Sequence, residues 1–329
     1  MAATAHRART VGANVVLSAL RQYPALILLI VLLLGAAIVT PAILSPGNIL
    51  QVIRQYSVMG IMALGVTYVV LCGRLDVSIG SLLSLLVVVI VALHDKVGPI
   101  LAMLAGVGIA ASVGSINGFL VAYLRLNSLI TTLGGYAALQ GLANVTSAGG
   151  LQLVKNPETS WFGFFGRGFI FNIPVPDILF FGLALLAAWV LAQTNYGRAV
   201  RAVGANELAS RFSSINAKGI IFSAYMASAL FTAVAAIVLS SRAMSAQSDS
   251  GAGLEILVLS AIFLGGTSLG GGVGGIGRTV LGIIVLAFIS NALILIGLPI
   301  QAQWLVSAMV IILAVWLDTA ARRGSMLAT

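Results

Sequence analysis

The sequence predicts an all-α membrane protein, a polytopic bundle of about ten transmembrane helices that includes a broken or re-entrant element. Of its 329 residues, 60% are hydrophobic and only 8% are charged, whereas a soluble domain carries about a quarter charged residues. Apolar runs recur along the chain near the length of roughly 20 residues that crosses a bilayer. The 37 glycines fit closely packed membrane helices, and a β-barrel would show alternating segments instead.

Hydropathy predicts ten helices, which fix the topology of the chain. They lie at 24–43, 55–72, 77–93, 98–122, 128–146, 173–193, 219–239, 255–269, 276–297 and 300–317. With the N-terminus inside, the basic residues on the cytoplasmic side are Arg7, Arg9, Arg21, Arg74, Arg125, Arg198, Arg201, Arg211, Lys218, Arg278, Arg322 and Arg323. Those on the outside are Arg54, Lys96, Lys155, Arg167 and Arg242. This excess inside predicts that both termini are cytoplasmic.

One transmembrane domain is predicted at residues 24–317, between cytoplasmic tails at residues 1–23 and 318–329. The basic N-terminus is interpreted as preceding an uncleaved first helix, because further apolar runs follow it. A cytoplasmic loop is predicted at 194–218 and a periplasmic loop at 147–172. The periplasmic loop is too polar for a span, and its aromatic side chains are expected at headgroup depth. These aromatic residues are Trp161, Phe162, Phe164 and Phe165.

The sequence offers no group for covalent chemistry. It lacks the pattern GxxxxGK[ST], so any ATP must be hydrolysed by another protein. The run GVGGIG at 272–277 satisfies a dinucleotide-binding pattern, but it joins two predicted spans rather than a strand and a helix. His6, His94 and Cys72 are too few for a metal or nucleophile site, and Cys72 is interpreted as a packing residue. We therefore expect no enzymatic activity, metal or cofactor, and assign the net charge of +9 to membrane orientation rather than nucleic acid binding.

Polar residues within or beside the spans are the candidates for a translocation path. Asp76 lies at a span junction beside Arg74, and a carboxylate within a membrane costs about 2.5–3.5 kcal/mol, so it is expected to have a role. Either it caps the next helix with Ser78, or it shapes the translocation path. Glu255 begins another span, where its charge complements the helix dipole and where later glycines suit a broken helix. The uncharged candidates are Asn117, Thr131, Thr132, Gln140, Asn144, Asn291 and Gln303. Hydrogen bonding between helices is the alternative role for these side chains.

A short stretch of the predicted cytoplasmic loop concentrates charge. Its charged residues are Arg198, Arg201, Glu207, Arg211 and Lys218. Asn206 is predicted to cap a short helix, in which Glu207 and Arg211 are spaced i,i+4. Gly204, just before the cap, is expected to permit a sharp bend. Charge alone leaves two interpretations open, a docking helix and a solvated tether.

Four stretches, in order, carry a resemblance to one family. They are LDVSIGS at 75–81, INGFLVAYLRLNSLITTLGG at 116–135, NYGRAVRAVGANELASRFSSI at 195–215 and GLEILVLSAIFLGGTSLGGGVGGIG at 253–277. Together they resemble the permease subunits of ATP-binding-cassette (ABC) importers of the ribose, xylose and arabinose class, which includes autoinducer-2 permeases. The matches are spread over most of the chain.

The resemblance implies a transport function in the bacterial inner membrane. Two permease subunits would form the pore, two ATPase subunits would bind ATP and Mg in the cytoplasm, and a periplasmic binding protein would deliver a small sugar, polyol or related solute. Autoinducer-2 or a nucleoside is the alternative substrate. The residues that the resemblance assigns to ATPase coupling are Gly197, Arg198, Gly204, Asn206, Glu207, Ala209 and Arg211. An ion-coupled secondary carrier is the alternative function, although the few intramembrane acids disfavour it.

Four positions depart from the family pattern. Ser128 replaces a proline, Gln140 an arginine, and Ser214 and Arg278 each replace a glycine. We expect Arg278 to find an acidic or backbone partner near the cytoplasmic face. The departures leave open whether the second permease subunit is identical, giving a homodimer, or different, giving a heterodimer.

Overall fold

The computed structural model describes residues 40–299, together with Ile30, Gly35, Leu305, Ala308, Met309 and Ile312. Nearly all of the predicted spans 24–43 and 300–317, and both predicted tails, lie outside the described residues. Residues 40–299 form eleven α-helices: α1 (Pro46–Leu71), α2 (Ile79–Val97), α3 (Pro99–Ala122), α4 (Ser128–Ser147), α5 (Phe164–Arg167), α6 (Val175–Gln193), α7 (Asn195–Ala205), α8 (Glu207–Phe212), α9 (Ala217–Ala243), α10 (Leu254–Leu264) and α11 (Ile276–Leu295). Short 3-10 helices occur at Pro41–Leu44 and Trp161–Gly163.

Six of these helices, α1, α2, α3, α6, α9 and α11, are long and apolar enough to cross a membrane. The chain is therefore an all-α, multi-pass membrane protein, as its composition predicts. The count of ten spans and the cytoplasmic termini remain predictions.

The two largest differences from the helix boundaries that hydropathy predicts are at the start of α1 and the end of α10. Helix α1 begins at Pro46 rather than near residue 55, because Ser45 caps it and accepts a hydrogen bond from the backbone N–H of Asn48. Helix α10 ends at Leu264 rather than near residue 269. The chain turns at Gly266, whose φ of 91° lies in the left-handed region that favours glycine.

Helix α9 packs against α1, α2 and α3 at the centre of the fold. Glycines make these contacts close. A Cβ added to Gly65 in α1 would lie 2.7 Å from the Cβ of Phe231, and one added to Gly114 in α3 would lie 2.8 Å from the Cβ of Ala229. Small residues therefore allow the helices to approach backbone to backbone, as membrane helices commonly do.

Helix α10 is preceded by non-helical chain that returns into the bundle. The Gly251 N–H donates to Ser84 Oγ of α2 at 2.9 Å, and a Cβ on Gly251 would lie 2.1 Å from the Gly80 carbonyl oxygen. With 11 residues, α10 is only about 16 Å long, roughly half of a bilayer's hydrocarbon core. This broken element is buried within protein, where irregular backbone can be accommodated.

The two ends of the bundle are distinct. We call the end that holds α7 and α8 the α8 end; the opposite end holds residues 148–174 and the close of α9, where Ser241 Oγ accepts from the Gly166 N–H. Two antiparallel pairs lie there, β1 (Gln152–Leu153) with β4 (Ser245–Ala246), and β2 (Phe169–Ile170) with β3 (Ile173–Pro174).

The aromatic residues of the 147–172 segment do not all lie at the surface. Trp161 and Phe164 are about half exposed, as expected for an interface, but Phe162 is fully buried. The Phe162 ring packs against His94, with 5.5 Å between ring centroids, so it does not face the surface; its depth in the membrane remains a prediction. The tip of the β2–β3 hairpin, Phe171, is 95% exposed.

The contact between α10 and α11 predicts different effects for two glycines of the same helix. A Cβ on Gly282 would lie 1.9 Å from the Ala261 carbonyl oxygen, whereas one on Gly277 would have nothing within 4 Å. Gly282→Ala should therefore destabilise the protein by about 1–3 kcal/mol through overpacking. Gly277→Ala is the matched control and should be neutral or slightly stabilising, because alanine favours a helix. Thermal midpoints in detergent compare the two, and equal midpoints would contradict the packing.

Candidate functional site

The residues predicted for ATPase coupling begin where the chain turns from α6 into α7. Thr194 Oγ1 accepts from the Gly197 N–H at 3.2 Å and so caps α7. Gly197 is buried, and a Cβ there would lie 2.2 Å from the Leu191 carbonyl oxygen of α6. The absent side chain therefore lets α7 fold back against the end of α6.

Helix α8 has the cap and the ion pair that the sequence predicts. Asn206 Oδ1 accepts from the Ala209 N–H at 2.9 Å, and Glu207 Oε1 lies 2.5 Å from Arg211 Nη2. The other oxygen of Glu207 lies 2.6 Å from Arg74 Nη2 in the α1–α2 loop. Glu207 thus forms one ion pair within α8 and a second that holds α8 to the end of the transmembrane helix α1.

Arg74 therefore pairs with Glu207, and not with its near neighbour Asp76. The three side chains of the Arg74–Glu207–Arg211 cluster are 33%, 29% and 34% exposed. At such exposure water screens each pair, so either ion pair alone would stabilise the fold little. The stabilisation comes mainly from the three charges acting as a network.

Gly204 has a different role from the one predicted. It lies inside α7 rather than in a bend, and a Cβ there would lie 1.7 Å from the Leu71 carbonyl oxygen and 2.5 Å from the Gly272 nitrogen. That nitrogen donates to the Leu71 carbonyl at 2.9 Å. The residue is glycine because three backbone segments meet there, and Arg201 adds a hydrogen bond to the Gly274 carbonyl at 2.8 Å.

Two apolar side chains of α8 point away from the bundle, and the sequence analysis missed both. Leu208 is 64% exposed and Phe212 is 84% exposed. Their i,i+4 spacing places them on one face of the helix, which is the signal that could have identified them. Ala209 is exposed beside them, and Arg198 of α7 is exposed with its guanidinium bonded to Asn195.

Four of the predicted path residues lie close together around the α1–α2 loop. Asp76 is 3% exposed; its Oδ1 accepts from the Ser78 hydroxyl at 2.6 Å and its Oδ2 from the Ser228 hydroxyl at 2.9 Å. Asn117 donates to Ser78 Oγ at 2.9 Å, and Thr132 Oγ1 accepts from the Val77 N–H at 3.2 Å. This buried network satisfies non-helical backbone inside the bundle.

The other candidates are dispersed. Thr131 bonds to its own helix, Asn144 is exposed, and Asn291 of α11 pairs with Asn48 of α1 at 2.9 Å. Gln140 donates to the Ser248 carbonyl at 2.7 Å. Glu255 lies in the first turn of α10, 5% exposed, with Oε2 lacking a hydrogen-bond partner among the described residues. The structure thus does not assemble all of them into one path, and Gln303 lies outside the described residues.

The departures from the family pattern have local partners. Ser128 Oγ accepts from the Leu75 N–H at 3.3 Å. Ser214 has a φ of 60°, the conformation that a glycine at this position would favour. Arg278 donates to the Gly266 carbonyl at 3.0 Å, so the expected backbone partner is confirmed.

Cys72 and the ionisable residues do not form a metal centre or nucleophile in the part of the chain that the structure describes. Cys72 is 4% exposed and belongs to the hydrophobic core, so it acts as a packing residue. Within residues 40–299 no group of three His, Cys, Asp or Glu side chains is placed to hold a metal ion.

Comparison with known proteins identifies the family. Residues 48–315 match the family described as branched-chain amino acid transport system / permease component. The chain belongs to this permease family. Its relatives include the ribose import permease protein RbsC of Escherichia coli strain K12, 35% identical over 302 residues, or 91% of this chain and 94% of that protein. RbsC of Bacillus subtilis strain 168 is 36% identical over 88% of this chain and 90% of its own length.

A further relative carries a different sugar in its name. The L-arabinose transport system permease protein AraH of Escherichia coli strain K12 is 30% identical over 302 residues, or 90% of each chain. No solved structure matches the chain. The resemblance to the ribose and arabinose class is therefore confirmed for this permease.

Reversing the charge of Glu207 should weaken the Arg74–Glu207–Arg211 cluster, and a second charge reversal at Arg74 should restore it. In this permease, Glu207→Lys places a third cation beside Arg74 and Arg211, so the α8 segment should loosen by about 1 kcal/mol. Adding Arg74→Glu supplies a carboxylate for Lys at 207 and for Arg211, and should restore most of the loss. Limited proteolysis within 194–218 measures this, and equal cleavage of the single and double variants would contradict the proposed contact.

Proposed function

We propose that this permease forms the membrane pore of an ABC importer for a small sugar in the bacterial inner membrane. Separate ATPase subunits would bind ATP and Mg and dock on α8, and a periplasmic binding protein would deliver the solute at the opposite end. The observation that supports this most directly is α8 itself. It exposes Leu208 and Phe212 while its other contacts tie it to the bundle, as expected for a helix that transmits force from a partner.

The relatives favour a sugar as the solute. The family description names branched-chain amino acids, but the relatives that share nine tenths of their length with this chain are named for ribose and arabinose. A pentose is therefore our first candidate, with a polyol, autoinducer-2 or a nucleoside as alternatives. Recognition would rest mainly on the binding protein.

The charge distribution favours placing the α8 end in the cytoplasm. Basic side chains concentrate there, as the positive-inside rule requires; they include Arg74, Arg125, Arg198, Arg201 and Arg211. With this orientation, residues 148–174 are periplasmic, and ten spans with both termini inside complete the topology. A second permease subunit, identical or different, would supply the other half of the pore.

The mechanism requires conformational change and no bond chemistry in this chain. Closure of the ATPase subunits would displace α8, and the Arg74–Glu207 pair and the Gly204 contact would carry that displacement to α1. The α1–α2 loop leads directly from Arg74 to the buried network of Asp76. The pore would alternate between inward-open and outward-open states as the spans move.

Reconstitution tests the function as a whole. The permease in proteoliposomes with the ATPase and the binding protein of its importer should import labelled ribose or arabinose only with ATP, and an uncoupler should have no effect. Uptake of leucine but not of pentoses would contradict the solute. Uptake by the permease alone that an uncoupler abolishes would instead establish an ion-coupled carrier.

The exposed face of α8 predicts where the ATPase binds. Leu208→Asp and Phe212→Asp each place a charge in an apolar contact, so ATPase binding should fall at least tenfold, as expected for loss of a central interface anchor. Insertion and thermal midpoint should not change, because both side chains are exposed. Phe171→Asp, at the opposite end, is the matched control. Pull-down of the ATPase measures the effect, and full binding by both α8 variants would exclude this face.

A further inference from the structure

A pocket of about 590 Å³ opens beside α8, between that helix, the α1–α2 loop and the α3–α4 loop. Its charged lining residues are Arg74, Arg125, Glu207 and Arg211. Leu208 also lines this pocket, so a partner that covers Leu208 reaches the edge of the pocket. The pocket therefore adjoins the proposed ATPase surface but contains side chains that the apolar contact does not use.

The pocket carries an excess of positive charge. Both oxygens of Glu207 are occupied by Arg74 and Arg211, and none of the ion pairs within residues 40–299 includes Arg125. If a partner buried Arg125 without supplying a counter-charge, the guanidinium would lose its hydration without gaining an ion pair. A protein that binds α8 and covers this pocket would therefore gain stability by placing an acidic group beside Arg125.

Arg125 also occupies an unusual backbone position. It follows the close of α3 with a φ of 58°, in the left-handed region where a glycine would be strain-free. The next N–H, of Leu126, donates to the Leu120 carbonyl at 3.1 Å and fixes the turn. Because glycine would be less strained at this turn, the arginine there favours a role for its guanidinium group.

We propose that this pocket binds a carboxylate of the ATPase subunit, with Arg125 as its principal ligand and Arg211 beside it. The inference rests on the proposed docking of an ATPase at α8 and adds the chemistry of the contact. Guanidinium and carboxylate groups match in a two-pronged geometry. The acidic group would fix the orientation in which the ATPase sits, while Leu208 and Phe212 supply the apolar contact.

The strained turn provides a variant that separates charge from folding. Arg125→Gly removes the guanidinium and relieves the backbone, so its thermal midpoint should equal or exceed that of the wild type. Its affinity for the purified ATPase, measured with the full-length permease in nanodiscs, should fall about tenfold, the loss expected for a hydrogen bond to a charged group.

Arg125→Lys should retain most of the affinity, and salt should weaken binding by the wild type more than binding by Arg125→Gly. Lys96→Ala, at the far end of α2, is the charge control.

The outcomes distinguish this inference from the function on which it rests. If Arg125→Gly binds the ATPase like the wild type while Leu208→Asp does not, the carboxylate contact is excluded and docking at α8 stands. If neither variant loses affinity, the docking surface itself is wrong. A loss seen with phosphatidylglycerol in the nanodisc, but not with phosphatidylcholine alone, would assign the pocket to a lipid headgroup. A loss of permease self-association instead of ATPase binding would assign it to a second copy of this chain. Either result would overturn the proposal.

Discussion

The fold at the α8 end depends on one close backbone contact. The Leu71 carbonyl ends α1, accepts from the Gly272 N–H at 2.9 Å, and lies where a side chain on Gly204 would be. Helix α1, helix α7 and the α10–α11 loop therefore meet without any side chain between them. Such a joint has little freedom, because a backbone contact cannot yield by a change of rotamer as a side-chain contact can.

This joint gives α8 two different faces. On one side Glu207 binds Arg74, immediately after α1, and fixes the helix to the bundle. On the other side Leu208 and Phe212 remain exposed. From Arg74 the chain enters the bundle, and two residues later Asp76 anchors it through Ser78 and Ser228. A push on α8 would thus reach the buried centre through one ion pair and two residues of chain, which is the route that we propose for transport driven by a separate ATPase.

Local signals predicted the parts of this arrangement that depend on nearby residues. The cap by Asn206, the Glu207–Arg211 pair and the first-turn position of Glu255 all follow from short spacings. Contacts between distant segments were not predictable: Gly204 was expected to bend the chain, and Arg74 gave no sign of its partner 133 residues away. The burial of Phe162 was unpredictable for the same reason, since only the fold brings it against His94. The exposed pair on α8 was visible in the spacing of Leu208 and Phe212 but was hidden by the charge around it.

We propose that the Gly204 joint transmits motion from α8 to the spans. The most direct test is the number of solute molecules imported per ATP hydrolysed, measured in proteoliposomes containing the whole importer. Gly204→Ala should keep its ATPase subunits and hydrolyse ATP, yet import fewer solute molecules per ATP, because the added Cβ separates α7 from α1. Gly108→Ala, where a Cβ meets nothing within 4 Å, should match the wild type. An unchanged ratio for an assembled Gly204→Ala importer would contradict the account.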